Sequence, residues 1–192
     1  MIELKFMRRI WNKIKQNKND KNKIKFEKMQ LYIENGIKLC FNKNVERGIN
    51  MYTAIDLSKY IVTKCVRDGC PISNLQLQKI LYYIQKEFLQ NGKIAFADDI
   101  EAWQFGPVVP DIYYQFCGYG AMPITREYGD EIIKLNLNDA DIIDNIIVAK
   151  RALNPWDMVE ETHKPGGAWD QTYCNGRGCG NVIPKDLIRS VG

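Results

Sequence analysis

The segment ISNLQLQKILYYIQKEFLQNG, Ile72 to Gly92, limits what this chain can fold into more than any other. Ser73 is placed to accept a hydrogen bond from the backbone N–H of Gln76, and the Gln76 side chain is placed to reach back to Ser73, which is the reciprocal arrangement that starts a helix. Ile72 and Leu77 stand on either side of that cap, where an apolar pair fixes the entry of the chain. Leu77, Ile80, Leu81, Ile84 and Phe88 recur at helical spacing, so one face is apolar. Asn91-Gly92 ends the pattern, because glycine adopts the left-handed backbone that a helix C-terminus needs. A long buried helix is predicted, followed by an aromatic, Pro-rich turn through Phe105-Gly106-Pro107.

The flanking segments read as further helices around it. Thr53 caps a helix over 54–67 with Ile55, Tyr60, Ile61 and Val62 on its apolar side, and Asp68-Gly69 ends it. Lys93 to Trp103 suggests short extended segments around an Asp98-Asp99 turn. Pro110 suits the first position of a helix with Ile112, Tyr113 and Phe116 facing inward, stopped by Gly118-Tyr119-Gly120. EIIKLN, 131–136, reads as a second short strand. Asn138 is expected to cap a helix over 139–152, Asn154-Pro155 to start one over 155–163, and Pro184 to begin a short terminal helix. Residues 164–182, rich in Gly and Asn, read as loop. The expected fold is mainly α: a compact helical domain with a small two-stranded β element.

Charge divides the chain. Residues 1–50 carry 13 Lys and Arg against 5 Asp and Glu, a net of +8, while residues 51–192 carry 14 against 18, a net of −4. The basic balance of the whole therefore belongs to the leader. Phe6, Ile10, Trp11 and Ile14 suit a short amphipathic helix, and Met29, Ile33, Ile37, Cys40 and Phe41 a second one interrupted by Gly36. Such a leader suits contact with nucleic acid phosphates, a membrane surface, or no selected partner at all. Glu46-Arg47-Gly48 can be encoded by a ribosome-binding sequence just upstream of Met51. The expectation is a weakly ordered leader over 1–50 lying upstream of the natural start at Met51, with nucleic acid contacted through those residues or not at all. No apolar run is long enough to span a bilayer and no signal-peptide pattern is read, so a cytoplasmic protein is expected. Six cysteines in such a chain read as buried thiols rather than disulfides.

Candidate chemistry is sparse. His163 is the sole histidine, so any Ser/His/Asp or Cys/His site would rest on it alone, and its position at a helix end suits a structural role. Cys65…Cys70 and Cys174…Cys179 are spaced too widely for the usual zinc knuckles. Asn175-Gly176-Arg177-Gly178 lacks the Lys-Ser/Thr ending of a phosphate loop. Asp98, Asp99 and Glu101 lack the ligand spacing of a calcium loop. No catalytic residue, metal or cofactor is expected. Trp103, Phe105, Tyr113, Tyr114 and Trp169 suit core packing, and beside the FGP turn they also suit a protein-binding surface.

The segments YTAIDLSKYI, ISNLQLQKILYYIQ, DDIEAWQFGPVVPDIYYQF, THKPGGAWDQTY and NVIPKDLI, which together run from Tyr52 to Ile188, resemble the Panacea domain family of SocA-like antitoxins and GepA-type phage-associated proteins. The family's last helix usually continues into an aromatic end, whereas this chain stops at Ser190-Val191-Gly192. The resemblance implies a non-enzymatic antitoxin in a phage or mobile-element context. It would neutralise a protein toxin, encoded by an adjacent gene, by direct contact. SocA-like function adds a protease as a second partner, to which the toxin is presented. The family motifs place Trp103, Phe105, Pro107, Pro110, Tyr113, Tyr114, Thr162, His163 and Trp169 near the partner-binding surface. The alternatives are a phage counter-defence protein that sequesters a host factor, a nucleic-acid-binding regulator working through the leader, and a hydrolase using His163.

Overall fold

A computed structural model describes residues 51–192; the expectations for residues 1–50 lie outside the described residues. Thr53 Oγ1 accepts from the Asp56 N–H at 3.2 Å and opens α1 (Ala54–Arg67). Its inner face, Ala54, Leu57, Ile61, Val62 and Cys65, is fully buried. Ser73 and Gln76 form the reciprocal cap that opens α2 (Asn74–Gln90), and Asn91 closes it. From there the chain passes through Phe96, which bridges Tyr52, into β1 (Glu101–Trp103), β2 (Gly106–Val108), α3 (Pro110–Phe116), α4 (Leu137–Arg151), α5 (Pro155–Thr162), α6 (Ala168–Tyr173) and α7 (Lys185–Val191). The expected fold class is the one observed: seven α-helices and one two-stranded antiparallel sheet among the described residues. None of the described helices is long and apolar enough to cross a membrane.

α2 is the hub. It packs against α1, α3, α4, α5, α7 and β2. Burial of Leu77, Ile80, Leu81, Ile84 and Phe88 contributes roughly 1.5–3 kcal/mol each. The helix is not amphipathic in place, however: Asn74, Gln76, Gln78, Lys79 and Gln85 are also buried. Each of these polar side chains bonds a backbone group beyond α2, at Tyr113, Leu153, Val109, Pro107 and Phe96 in turn. Gln85 accepts from the Ala95 and Phe96 N–H groups at 3.0 and 3.2 Å and donates to Phe96 O at 3.0 Å. Gln76 donates to Leu153 O at 3.3 Å. A buried backbone group left unpaired costs about 1–3 kcal/mol, so these side chains do for the loops what a neighbouring strand would do for a sheet.

β1 and β2 pair in the register Glu101↔Val108, Ala102↔Pro107 and Trp103↔Gly106, with Gln104 and Phe105 at the turn. The other edge of β1 is occupied by the segment before α7: Ala102 N–H donates to Asn181 O at 2.9 Å, and Ile183 N–H to Ile100 O at 2.7 Å. The sheet is thus closed on that side by residues that read as loop.

Three local expectations are corrected. EIIKLN forms no strand; a 3-10 turn covers Gly129–Glu131, and Ile132, Ile133 and Leu135 pack half-buried against the core. Asn136, not Asn138, caps α4, because Asn136 Oδ1 accepts from the Asp139 N–H while its amide meets the Tyr52 hydroxyl and the Asp139 carboxylate. Residues 164–182 contain α6, which Gly167 opens and Cys174, in the left-handed conformation, closes.

Candidate functional site

The hairpin is mounted on α2 through side chains. Val109 N–H donates to Gln78 Oε1 at 2.9 Å, and Lys79 Nζ donates to Pro107 O at 3.2 Å. Gln78 in turn donates to Asn74 Oδ1 at 3.0 Å, and Asn74 donates to Tyr113 O at 3.1 Å, which ties the start of α3 to the same post. On the other side Trp169 Nε1 donates to Trp103 O at 2.8 Å. The Gln78 and Lys79 bonds engage polar groups on the outer edge of β2, and residues 180–183 cover that of β1.

Beneath the turn lies an unusual polar contact. Gly106 takes φ +104°, and a Cβ there would collide with the Lys79 amine and stand 2.8 Å from Thr162 Oγ1. Glycine is required both by the backbone angle and by the approach of the lysine. Lys79 is fully buried, and among the described residues no carboxylate pairs with it. Loss of hydration pushes its pKa down to about 7. His163 lies at the end of α5, its ring stacked on Trp169 at 3.6 Å between centroids with the planes 2° apart. Trp169 stacks in turn on Tyr173 at 4.6 Å. Burial, then the Lys79 charge, hold the His163 pKa below its usual value against the pull of Asp170. Nε2 of His163 is buried and without a hydrogen-bond partner among the described residues.

The nine residues that the family motifs place near the partner surface divide into two layers. Pro107, Thr162 and Trp169 are buried, and Pro110, Tyr113 and His163 are half-buried. Phe105 and Tyr114 reach solvent, at 49% and 64% exposure, with Trp103 partly exposed. Trp103 meets Tyr113 at 4.9 Å and Tyr114 at 6.2 Å between ring centroids, and the two tyrosines meet each other at 5.6 Å. On the other side of the turn Phe105 meets Trp156 edge-to-face at 5.7 Å. Trp156 is 61% exposed and did not emerge from the sequence as a candidate; its signal there is a large aromatic placed in the first turn of a helix, directly after Asn154-Pro155. The Trp103 indole donates to Glu101 Oε2 at 2.8 Å.

Other candidates find structural work. Asp98 accepts from the Ala54 N–H and Asp99 pairs with Lys185. Among the described residues no group of three or more His, Cys, Asp and Glu is placed to hold a metal ion. The described cysteines are free thiols, but only Cys65 is buried, its pKa pushed up to about 11 by loss of hydration. Cys70, Cys117, Cys174 and Cys179 are exposed, because they fall at helix ends and in turns rather than on inward faces.

The fold and the site define a helical domain that carries a rigidly moored, exposed aromatic hairpin. The family described as "Antitoxin SocA-like, Panacea domain" matches residues 77–170, from α2 through the hairpin to the His163–Trp169 stack. Antitoxin SocA of Caulobacter vibrioides is 32% identical over 153 residues, covering 69% of this chain and 80% of that protein. The chain belongs to the SocA-like antitoxin, Panacea-domain family. No solved structure matches it.

Proposed function

We propose that this protein is an antitoxin that neutralises a protein toxin by direct contact, and that the contact is made by the hairpin face of Trp103, Phe105, Tyr113, Tyr114 and Trp156. The observation that carries this reading is the exposure of large aromatics on a backbone fixed from beneath. Exposed Trp and Tyr on a rigid frame lose little conformational freedom on binding, and they dominate the energetics of protein interfaces. Family membership supports a toxin as the partner. Pro107, Thr162, His163 and Trp169 act here as the support of that face, holding the turn in place from within. Residues 51–192 form the functional unit in this reading, with no bond-making step of their own.

Growth rescue tests it. The chain is co-expressed with the product of each neighbouring gene, and the expected result is relief of toxicity together with a co-purifying complex. No rescue and no co-purifying partner would remove the basis of the reading.

A further inference from the structure

We propose that the hairpin face recognises a basic segment of its protein partner, whose Arg or Lys side chains lie on the Trp103 and Tyr114 rings and pair with Glu101 and Asp111. The inference rests on the antitoxin reading and supplies the chemistry of the partner. Two observations at the hairpin, taken together, carry it.

The first concerns the aromatic faces. Elsewhere the protein covers tyrosine rings with its own cations: Lys59 and Arg126 sit over Tyr128 at 5.5 and 4.6 Å, and Lys150 over Tyr83 at 4.0 Å. Among the described residues no cation lies over Trp103, Phe105, Tyr113, Tyr114 or Trp156. The electron-rich faces of these exposed rings attract a guanidinium, and among the described residues none covers them.

The second concerns the carboxylates. Asp68, Asp99, Glu127, Glu131, Asp139, Asp144, Glu161 and Asp186 are engaged by Lys or Arg, while Asp56, Glu87, Asp98, Asp130, Asp141 and Asp170 form no ion pair among the described residues. Glu101, Asp111, Asp157 and Glu160, which accompany the exposed aromatics, form no ion pair among the described residues. Asp111 lies three residues from Tyr114 on α3, and Glu160 four residues from Trp156 on α5, spacings that make them neighbours on the helix surface. Glu101 is bonded to the Trp103 indole itself. Aromatic surface interleaved with unpaired negative charge is complementary to an Arg- or Lys-bearing chain. Strand addition is not the mode, because the bonds to Gln78 and Lys79 and the segment 180–183 engage the hairpin edges, so recognition falls to side chains.

A displayed library of random peptides of about 12 residues, roughly 40 Å when extended, is selected against the chain. Arg and Lys are expected to be enriched about threefold or more over the input, an energy preference of about 0.65 kcal/mol per position or more. Binding of selected peptides is expected to fall about tenfold or more between roughly 0.1 and 0.5 M salt, as screening of several ion pairs requires. Tyr114→Ala and, separately, the surface change Asp111→Asn should each abolish the enrichment while leaving the thermal melt in place. Selection of acidic or purely apolar peptides, no selection at all, or enrichment unaffected by both variants would overturn the proposal. So would self-association of the chain that Tyr114→Ala abolishes, since the face would then belong to a second copy. Growth rescue reads the antitoxin role independently: rescue by the native chain that survives both variants leaves that role standing but defeats the basic-segment inference and removes Tyr114 from the toxin contact.

Discussion

Replacing Lys79 with methionine should stabilise the protein, and by an amount that depends on pH. The lysine is fully buried and, among the described residues, makes one hydrogen bond, to Pro107 O at 3.2 Å. Burial lowers its pKa from the ordinary 10.5 to about 7. A basic group with a depressed pKa binds its proton more weakly in the folded protein than in the unfolded chain, so stability rises with pH wherever the unfolded chain alone holds that proton. Below pH 7 both states are charged, and folding bears the whole difference. A gap of about 3.5 pH units at 1.36 kcal/mol each is about 5 kcal/mol. The cost fades from pH 7 upward and is gone near 10.5. Methionine keeps most of the length of the side chain but leaves the Pro107 carbonyl without this donor, which costs about 1–3 kcal/mol. Lys79→Met is therefore expected to be more stable by roughly 2–4 kcal/mol at pH 6, with the advantage shrinking at pH 9 and reversing near pH 10. Urea titrations of both proteins at those pH values measure it. A variant less stable at pH 6, or a difference that does not change with pH, would refute the reasoning.

Gly106→Ala should destabilise by about 3 kcal/mol or more, since the added methyl meets the Lys79 amine in a backbone conformation that non-glycine residues rarely adopt; a urea midpoint equal to the native one contradicts this. Gln78→Ala should cost about 1–3 kcal/mol by stranding the buried Val109 N–H, and hydrogen exchange at Val109 should accelerate more than in α1. Trp156→Ala should change stability by less than about 1 kcal/mol, because the ring is mostly exposed, yet weaken partner binding by roughly 30-fold, the effect of a hot-spot aromatic, as read by calorimetry on the co-purified complex. His163→Phe preserves the stack on Trp169 and should retain growth rescue with stability changed by no more than about 1.5 kcal/mol, the worth of such a ring pair; loss of rescue in a folded variant would revive a chemical role for the histidine.

Helix starts were legible in this sequence wherever the signal is local. Ser73 with Gln76, Thr53 with Asp56, Asn154 before Pro155, and Pro110 each act within one turn, and each cap or start stands where the residues place it. What the sequence hid depends on partners far along the chain. Asn136 and Asn138 are equally good caps in isolation; the Tyr52 hydroxyl, 84 residues away, decides between them. The β-branched pair Ile132-Ile133 with Leu135 two residues on suits a strand, but residues 180–183 pair with β1 instead, and these three side chains serve the core without a ladder. Apolar spacing identified one face of α2 and was silent about the others, because a buried Gln or Lys reads as solvated surface unless the backbone it will hold is known. The candidate site shows the same division. Trp103, Phe105 and Tyr114 stand out by residue type beside a sharp turn, whereas Trp156 joins them through tertiary packing alone.

A helix that anchors so many segments by its polar side chains leaves little room for piecemeal opening. If α2 frays, the backbone groups of residues 95–96, 107, 109, 113 and 153 lose their partners together. Slow amide exchange in the middle of α2 should therefore proceed only when the whole domain unfolds, and those amides should share one activation free energy with the turn that presents Phe105. The presenting surface is then either fully formed or absent, with no half-assembled state for a protease to trim.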